Sequence, residues 1–198
     1  MFNFNPDIIV IDNFYSDPVS VRQTALTCEY NEKKHDDFFK FGNAPWPGRM
    51  SKTSYSPKNL DLHISKLLNK PLRQYMGLNS GKFRYSLHND DVSNAVHMDN
   101  CAYAGVLYLS NNVNDMPGTI FYTNKKTNLD QGNTSIFEKL ILNGECDDEN
   151  FWYKNFVSYI IFNRLIIYPG NKFHGIGPMF GTDIESSRLV QLFFWEEL

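Results

Sequence analysis

From residue 82 to residue 195 the chain is a succession of short runs rich in β-branched and aromatic residues, broken at close intervals by Gly, Pro, Asn and Asp. That pattern predicts strands over Lys82–Leu87, Ala95–Asp99, Ala104–Leu109, Gly118–Tyr122, Arg164–Tyr168, Lys172–Ile176 and Arg188–Trp195. Closely spaced strands that follow an initial helical region indicate a β-sandwich or barrel at the C-terminal end of the chain. The region before them reads differently. Asp7–Asp12 is a short β-branched run, and Ser16-Asp17-Pro18 is a helix start, with Val19, Val21, Ala25 and Leu26 as its apolar face. A second helical stretch opens at Ser56-Pro57 and carries Leu60, Leu62, Ile64, Leu67 and Leu68 on one face. Pro71 is expected to kink or divide it before Leu72–Met76, and Gly77 and Gly81 to end it.

The expected fold class is therefore α+β, mainly β. A single domain over 1–198 has an N-terminal strand and supporting helices (1–80) packed on a β core (81–198). The aromatic content, 15% of residues, suits such a core. Tyr30–Tyr55 is expected to be a long irregular loop centred on Pro45-Trp46-Pro47-Gly48-Arg49. Trp46 and Arg49 are candidates to face a substrate, although Trp46 plugging the core is an equal reading. Asn124–Cys146 reads as a polar insertion with a short apolar interruption, and Glu149–Tyr159 as a short helix.

Composition narrows the partners. With a formal net charge of −3 and no basic block, the chain shows no nucleic-acid or membrane-surface footprint. Cys28, Cys101 and Cys146 include no CxxC pair, which argues against a disulfide scaffold and fits a reducing compartment. The start, MFNFNPDIIVIDNF, lacks a basic segment followed by a long apolar one, and no run approaches the roughly 18 apolar residues of a membrane span. The expected location is cytoplasmic.

The chemistry centres on His97-Met98-Asp99-Asn100. On a strand, positions two apart face the same way, so His97 and Asp99 can present an imidazole and a carboxylate to one point. His174, from a distant strand, would complete a set of two histidines and one carboxylate, the facial arrangement typical of non-haem Fe(II) sites with open positions. Arg188 follows fourteen residues after His174, at the head of the apolar run Leu189–Trp195. A guanidinium there needs an anion, and a dicarboxylate would supply one.

From Tyr85 onward these pieces, in this order, resemble the Fe(II)/2-oxoglutarate-dependent oxygenases, in particular their prolyl-hydroxylase-like branch. The resemblance is carried by Tyr85, the HxD motif His97-Met98-Asp99, the strand ending Leu107-Tyr108-Leu109-Ser110, and Gly118-Thr119-Ile120-Phe121. It continues through Asn163–Gly170 leading to His174, and then Arg188. It spans residues 83–195; before them only the order of elements is similar. It implies a double-stranded β-helix (jelly-roll, cupin-like) core, with Fe(II) bound by His97, Asp99 and His174. It also implies 2-oxoglutarate held at its distal carboxylate by Arg188 and Tyr108, a further cosubstrate contact from Tyr85, and O2 as the oxidant. The implied activity is hydroxylation of a C–H bond in a protein, peptide or small-molecule substrate, releasing succinate and CO2. Pro117 stands where the family often has a second glycine, and Gly175–Ser187 is expected to form an extended loop between the last two strands.

Two other readings use the same residues. A cupin-like metal-binding protein or isomerase would employ the ligands without a keto acid, and a non-catalytic jelly-roll module would bind neither. Elsewhere the bland readings prevail. His88 reads as a turn residue, His35 and His63 as solvated, Cys101 as a small core residue, and Phe151-Trp152-Tyr153 as packing. Asn100 and Asn163 are candidates either for orienting ligands or substrate, or for turn and strand-end roles.

Overall fold

In the computed structural model, residues 7–31, 48–75, 77, 79–90 and 96–198 are described. In chain order the elements are β1 (Ile9–Ile11), α1 (Pro18–Thr27), β2 (Arg49–Ser54), α2 (Leu60–Leu68), β3 (Leu72–Gln74), β4 (Lys82–Ser86) and β5 (Tyr103–Tyr108). They continue with β6 (Pro117–Asn124), α3 (Thr134–Leu142), β7 (Trp152–Tyr159), β8 (Leu165–Pro169), β9 (His174–Ile176) and β10 (Arg188–Glu197). Among the described residues the larger sheet has the order β1-β8-β5-β10-β4-β2, with β3 pairing the far end of β10; the smaller is β7-β6-β9. Every pairing in both sheets is antiparallel. This is a double-stranded β-helix, the core that the family resemblance implied.

The side-chain period of two sorts each central strand onto two cores. On β10, Leu189, Phe193 and Trp195 join Leu107 of β5 and Leu165 and Ile167 of β8 in an outer core, closed by Val21 and Ala25 of α1 and Leu60 and Ile64 of α2. Val190 and Leu192 turn the other way, with Val106, Tyr108, Ile166 and Tyr168, to meet Phe121 from the smaller sheet. A third core, with Ile120, Tyr122, Phe137, Leu140, Trp152 and Phe173, lies between the smaller sheet and α3. Strands covered on both faces read as continuous apolar runs, which is why Leu189–Trp195 does not alternate.

The helices follow local chemistry. Asp17 caps α1 by accepting a hydrogen bond from the Ser20 amide, and Pro18 sits in the first turn. Asn69, left-handed at φ 52°, ends α2. Val19, Leu62 and Leu67, assigned to apolar faces, are exposed instead; the buried residues of these short helices are Val21, Arg22, Ala25, Leu60 and Ile64.

Several expected elements differ. Arg49–Ser54 is strand β2, pairing with β4, rather than loop. Trp46 and His35 lie outside the described residues. Leu72–Gln74 is not helical: once Asn69 has turned the chain, it extends along Trp195–Glu197 as β3. Glu149–Tyr159 is a strand after one short 3-10 turn, since its aromatic and β-branched residues fit the pleated edge beside β6. The segment 124–146 contains α3, capped by Asn133 and anchored by Phe137 and Leu140.

Asn163 has a structural task. It is left-handed (φ 65°), its side chain accepts from the Tyr15 amide at 2.9 Å and donates to the Tyr15 carbonyl at 2.9 Å. Its backbone also bonds Phe14 and Tyr108. It ties the segment after β1 to the start of β8. Asn163→Ala removes both side-chain bonds and puts a Cβ residue without them in a left-handed conformation, so it is expected to cost about 2–3 kcal/mol in urea unfolding. A loss below about 0.5 kcal/mol would contradict this role.

Candidate functional site

His97, Asp99 and His174 come together where the two sheets face each other. One potential ligand atom from each lies within 4.8 Å of the others. His97 and His174 are joined by two reciprocal main-chain hydrogen bonds of 2.8 Å, and the Asp99 amide donates to the Gly170 carbonyl at 2.7 Å. The HxD segment is thus fixed to the turn after β8 and to the start of β9. Among the described residues it is an isolated bridge, not the expected strand over 95–99; Ala95 lies outside the described residues. The same-side placement of His97 and Asp99 holds nonetheless.

The His174 ring is tightly held. Its Nδ1 is 2.8 Å from the Lys172 carbonyl. Since a carbonyl only accepts, Nδ1 carries the proton and Nε2 is left as the donor atom for a metal. That Nε2 is 3.4 Å from Asp99 Oδ2. Tyr168 meets the ring edge-on at 4.8 Å between centroids, and Phe121 lies at 6.1 Å. Burial raises the Asp99 carboxyl, but interactions with His174, His97 and Arg84 outweigh it, and the net shift is downward. The carboxylate form that a cation requires is favoured.

Gly170 is required by this packing. A Cβ there would stand 2.4 Å from the Cys101 carbonyl oxygen, 2.7 Å from Cys101 Sγ and 3.1 Å from the Asp99 carbonyl oxygen. Gly170→Ala is expected to displace the Asp99 segment and to cost about 1–3 kcal/mol in stability, with a larger relative loss in divalent-metal affinity. Metal titration beside a thermal melt checks it; unchanged affinity would show that the segment shifts without moving Asp99.

Arg188 opens β10 facing the same cavity, which has a volume of about 270 Å³. It is 1% exposed. Its Nη2 donates to the Gly118 carbonyl at 2.9 Å, while Nε and Nη1 are buried without a hydrogen-bond partner among the described residues. Burial lowers its pKa, opposed by Tyr108 and Tyr168. A buried guanidinium with two unsatisfied nitrogens is costly unless an anion completes it. The long interval 177–187 leaves its register intact: Arg188 pairs with Ser86.

The tyrosines are placed differently from expectation. Tyr108 is fully buried and does not form the cavity wall; its hydroxyl donates to Thr119 Oγ1 at 2.9 Å, and Thr119 lines the cavity in its stead. Tyr85 does not reach the cavity. It turns to the helix side, edge-on to Tyr30 at 4.7 Å and beneath the Arg49 guanidinium. Its neighbour Arg84 takes the inward position and lines the cavity, a residue the sequence reading missed. The missed signal is the alternation itself: Phe83 and Tyr85 are the apolar face of β4 and belong with the outer core. Arg49 is 3.3 Å from Asp90 and is not part of the cavity lining.

Of the remaining candidates, Asn100 lines the cavity. His88 and His63 are exposed, and Cys101 is half-buried with its thiol pushed up by burial. Trp152 is core, while Tyr153 is exposed.

Residues 3–179 match the family of unknown function DUF6445. The chain belongs to this family. No curated protein matches the DUF6445 sequence significantly, but solved structures match its fold. HygX from Streptomyces hygroscopicus, crystallised with nickel, 2-oxoglutarate and hygromycin B bound, superposes with a TM-score of 0.55 at 12% identity, covering 96% of this chain and 83% of that chain. Its complex with nickel and 2-oxoglutarate gives a TM-score of 0.55 at 14% identity, with the same 96% and 83% coverage. A prolyl hydroxylase from Trichoplax adhaerens in complex with a hypoxia-inducible-factor peptide fragment gives 0.47 at 12% identity, covering 96% of this chain and 84% of that chain. At these identities the likeness is one of fold: the DUF6445 chain shares the fold of HygX. No helix among the described residues is long and apolar enough to cross a membrane.

Proposed function

We propose that this DUF6445 protein is an Fe(II)- and 2-oxoglutarate-dependent oxygenase that hydroxylates a C–H bond of a small molecule or a peptide side chain. One observation carries the reading: a His-Asp-His set within 4.8 Å and an incompletely partnered buried guanidinium line one cavity. The donor set suits a divalent iron with positions left open, and the guanidinium suits a second, carboxylate-bearing ligand. When bound, iron and 2-oxoglutarate supply the oxidation: O2 places one oxygen atom in succinate and the other in the hydroxylated product, with loss of CO2.

The chain's own residues divide the remaining work. His97, Asp99 and His174 would hold the iron, with Lys172 fixing the tautomer of His174 through its carbonyl. Arg188 would take the distal carboxylate of 2-oxoglutarate, and Tyr108 would act through Thr119 by keeping that hydroxyl oriented on the wall. Val106, Ile176 and Leu192 on the lining keep water from the reacting face. The free cysteines suit a reducing, cytoplasmic setting.

Anaerobic titration with Fe(II) and then 2-oxoglutarate tests the reading. A weak visible charge-transfer band that requires both is expected, followed by succinate formation on admitting O2. Metal binding with no band, and no succinate with or without added substrates, would overturn it.

A further inference from the structure

Arg84 has no part in the assignments above, yet it stands on the same wall as Arg188. It is 8% exposed and lines the cavity. In the sheet, Ser86 pairs with Arg188 and Arg84 with Val190. Arg84 therefore lies one strand across and two residues along from Arg188, displacements of about 5 Å and about 7 Å. Beyond it the lining turns apolar. Leu192 and Phe194 continue along β10, and Met50, the β2 partner of Arg84, continues across the sheet. From Arg188 outward the wall thus presents a cation, a second cation, and then an apolar surface.

We propose that Arg84 selects a substrate bearing its own carboxylate, a small amphiphilic acid whose apolar body rests on Leu192, Phe194 and Met50. The inference rests on the oxygenase reading, because that reading accounts for both ends of the cosubstrate diacid: one at Arg188, the other at the His-Asp-His set. Arg84 then meets a third acid group. Two guanidinium groups on one sheet face repel each other, and an anion between Arg84 and the apolar wall relieves that repulsion. Burial and the neighbouring Arg188 disfavour the charge on Arg84, opposed by Asp99 and Tyr168. Size points the same way. A cavity of about 270 Å³ that also holds a five-carbon diacid leaves space for a small body, below the roughly 300–1,000 Å³ of sites for drug-sized ligands.

The test uses the full chain under anaerobic conditions, loaded with Fe(II) and saturated with 2-oxoglutarate so that Arg188 is occupied. Calorimetry then compares straight-chain monocarboxylates, acetate through hexanoate, with the matching carboxamides. The acids are expected to bind at least about tenfold more tightly than the amides, with affinity rising along the series. In Arg84→Met the preference should fall to about twofold or less while the charge-transfer band of the 2-oxoglutarate complex persists; Arg84→Lys should keep part of it. Equal binding of acid and amide by the wild type, or no binding of either, overturns the inference without recourse to a variant. Loss of the band in Arg84→Met together with retention in Arg84→Lys also overturns it and makes Arg84 a cosubstrate contact. A wild-type protein that never forms the band fails at the oxygenase reading, and the inference falls with it; a normal band without acid preference sinks the inference alone.

Discussion

Arg188→Met is expected to weaken 2-oxoglutarate binding by about 2–5 kcal/mol, roughly thirtyfold to several-thousandfold, while leaving the metal-free protein at least as stable as the wild type. The two effects have opposite signs for one reason. The guanidinium is 1% exposed and two of its nitrogens lack partners among the described residues, so in the unliganded protein it is a desolvated charge whose hydrogen bond there is to the Gly118 carbonyl. Replacing such a group by an apolar side chain of similar volume is commonly neutral or stabilising. Methionine removes one of two donors to that carbonyl, which keeps the Gly177 amide at 3.0 Å, so little of the gain is offset there. Anaerobic titration gives the affinity and urea unfolding the stability. A variant that binds 2-oxoglutarate normally would remove Arg188 from the site, whereas one that loses several kcal/mol of stability would make the arginine a structural residue.

The second large effect is expected from His174→Ala. Losing a partner around a metal ligand typically reduces affinity 10–100-fold, so losing the ligand itself should exceed about 100-fold, and Fe(II) titration should show no stoichiometric binding. The main chain at 174 keeps its paired bonds to His97 whatever the side chain. Circular dichroism is therefore expected to remain native, with a stability loss of about 1–3 kcal/mol from the missing ring contacts with Phe121 and Tyr168. Unchanged metal affinity would show that the ion sits elsewhere.

What could be read from the sequence depended on whether the cause was local. The strand runs of the two central cores and the Asp17 cap are set by neighbouring residues and appear where expected. The HxD spacing puts His97 and Asp99 on one side although the segment is a bridge and not a strand. The long-range partners, His174 and Arg188, were legible because both sit in segments whose apolar neighbours fix the strand. The errors arose where tertiary pairing decides. Leu72–Gln74 extends because β10 offers it an edge, and Trp152–Tyr159 because β6 does. Tyr85 was assigned to the cavity by resemblance, but the aromatic residues of β4 belong to the outer core, and a one-residue change of face puts Arg84 inside instead. Tyr108 faces inward as expected, yet its depth, which hands the wall to Thr119, is a packing result that no local pattern announces. The helix over Thr134–Leu142 was legible in principle, since Ile136, Phe137, Leu140 and Ile141 recur at helical spacing behind Asn133.

The reciprocal bridge between His97 and His174 bears on how the protein would handle its metal. Two candidate ligands 77 residues apart in the chain (174 − 97) are clasped by peptide groups that need no ion to keep them in place. In a zinc finger the ion creates the fold, and removing it dissolves the domain. Here the ion would be a guest in a finished socket. A chelator should strip it without melting the protein, and resupplying Fe(II) should restore it without refolding. Neighbouring divalent ions of similar size should enter the same seat, so the metal found after purification would record what the surroundings offered as much as what the chemistry requires.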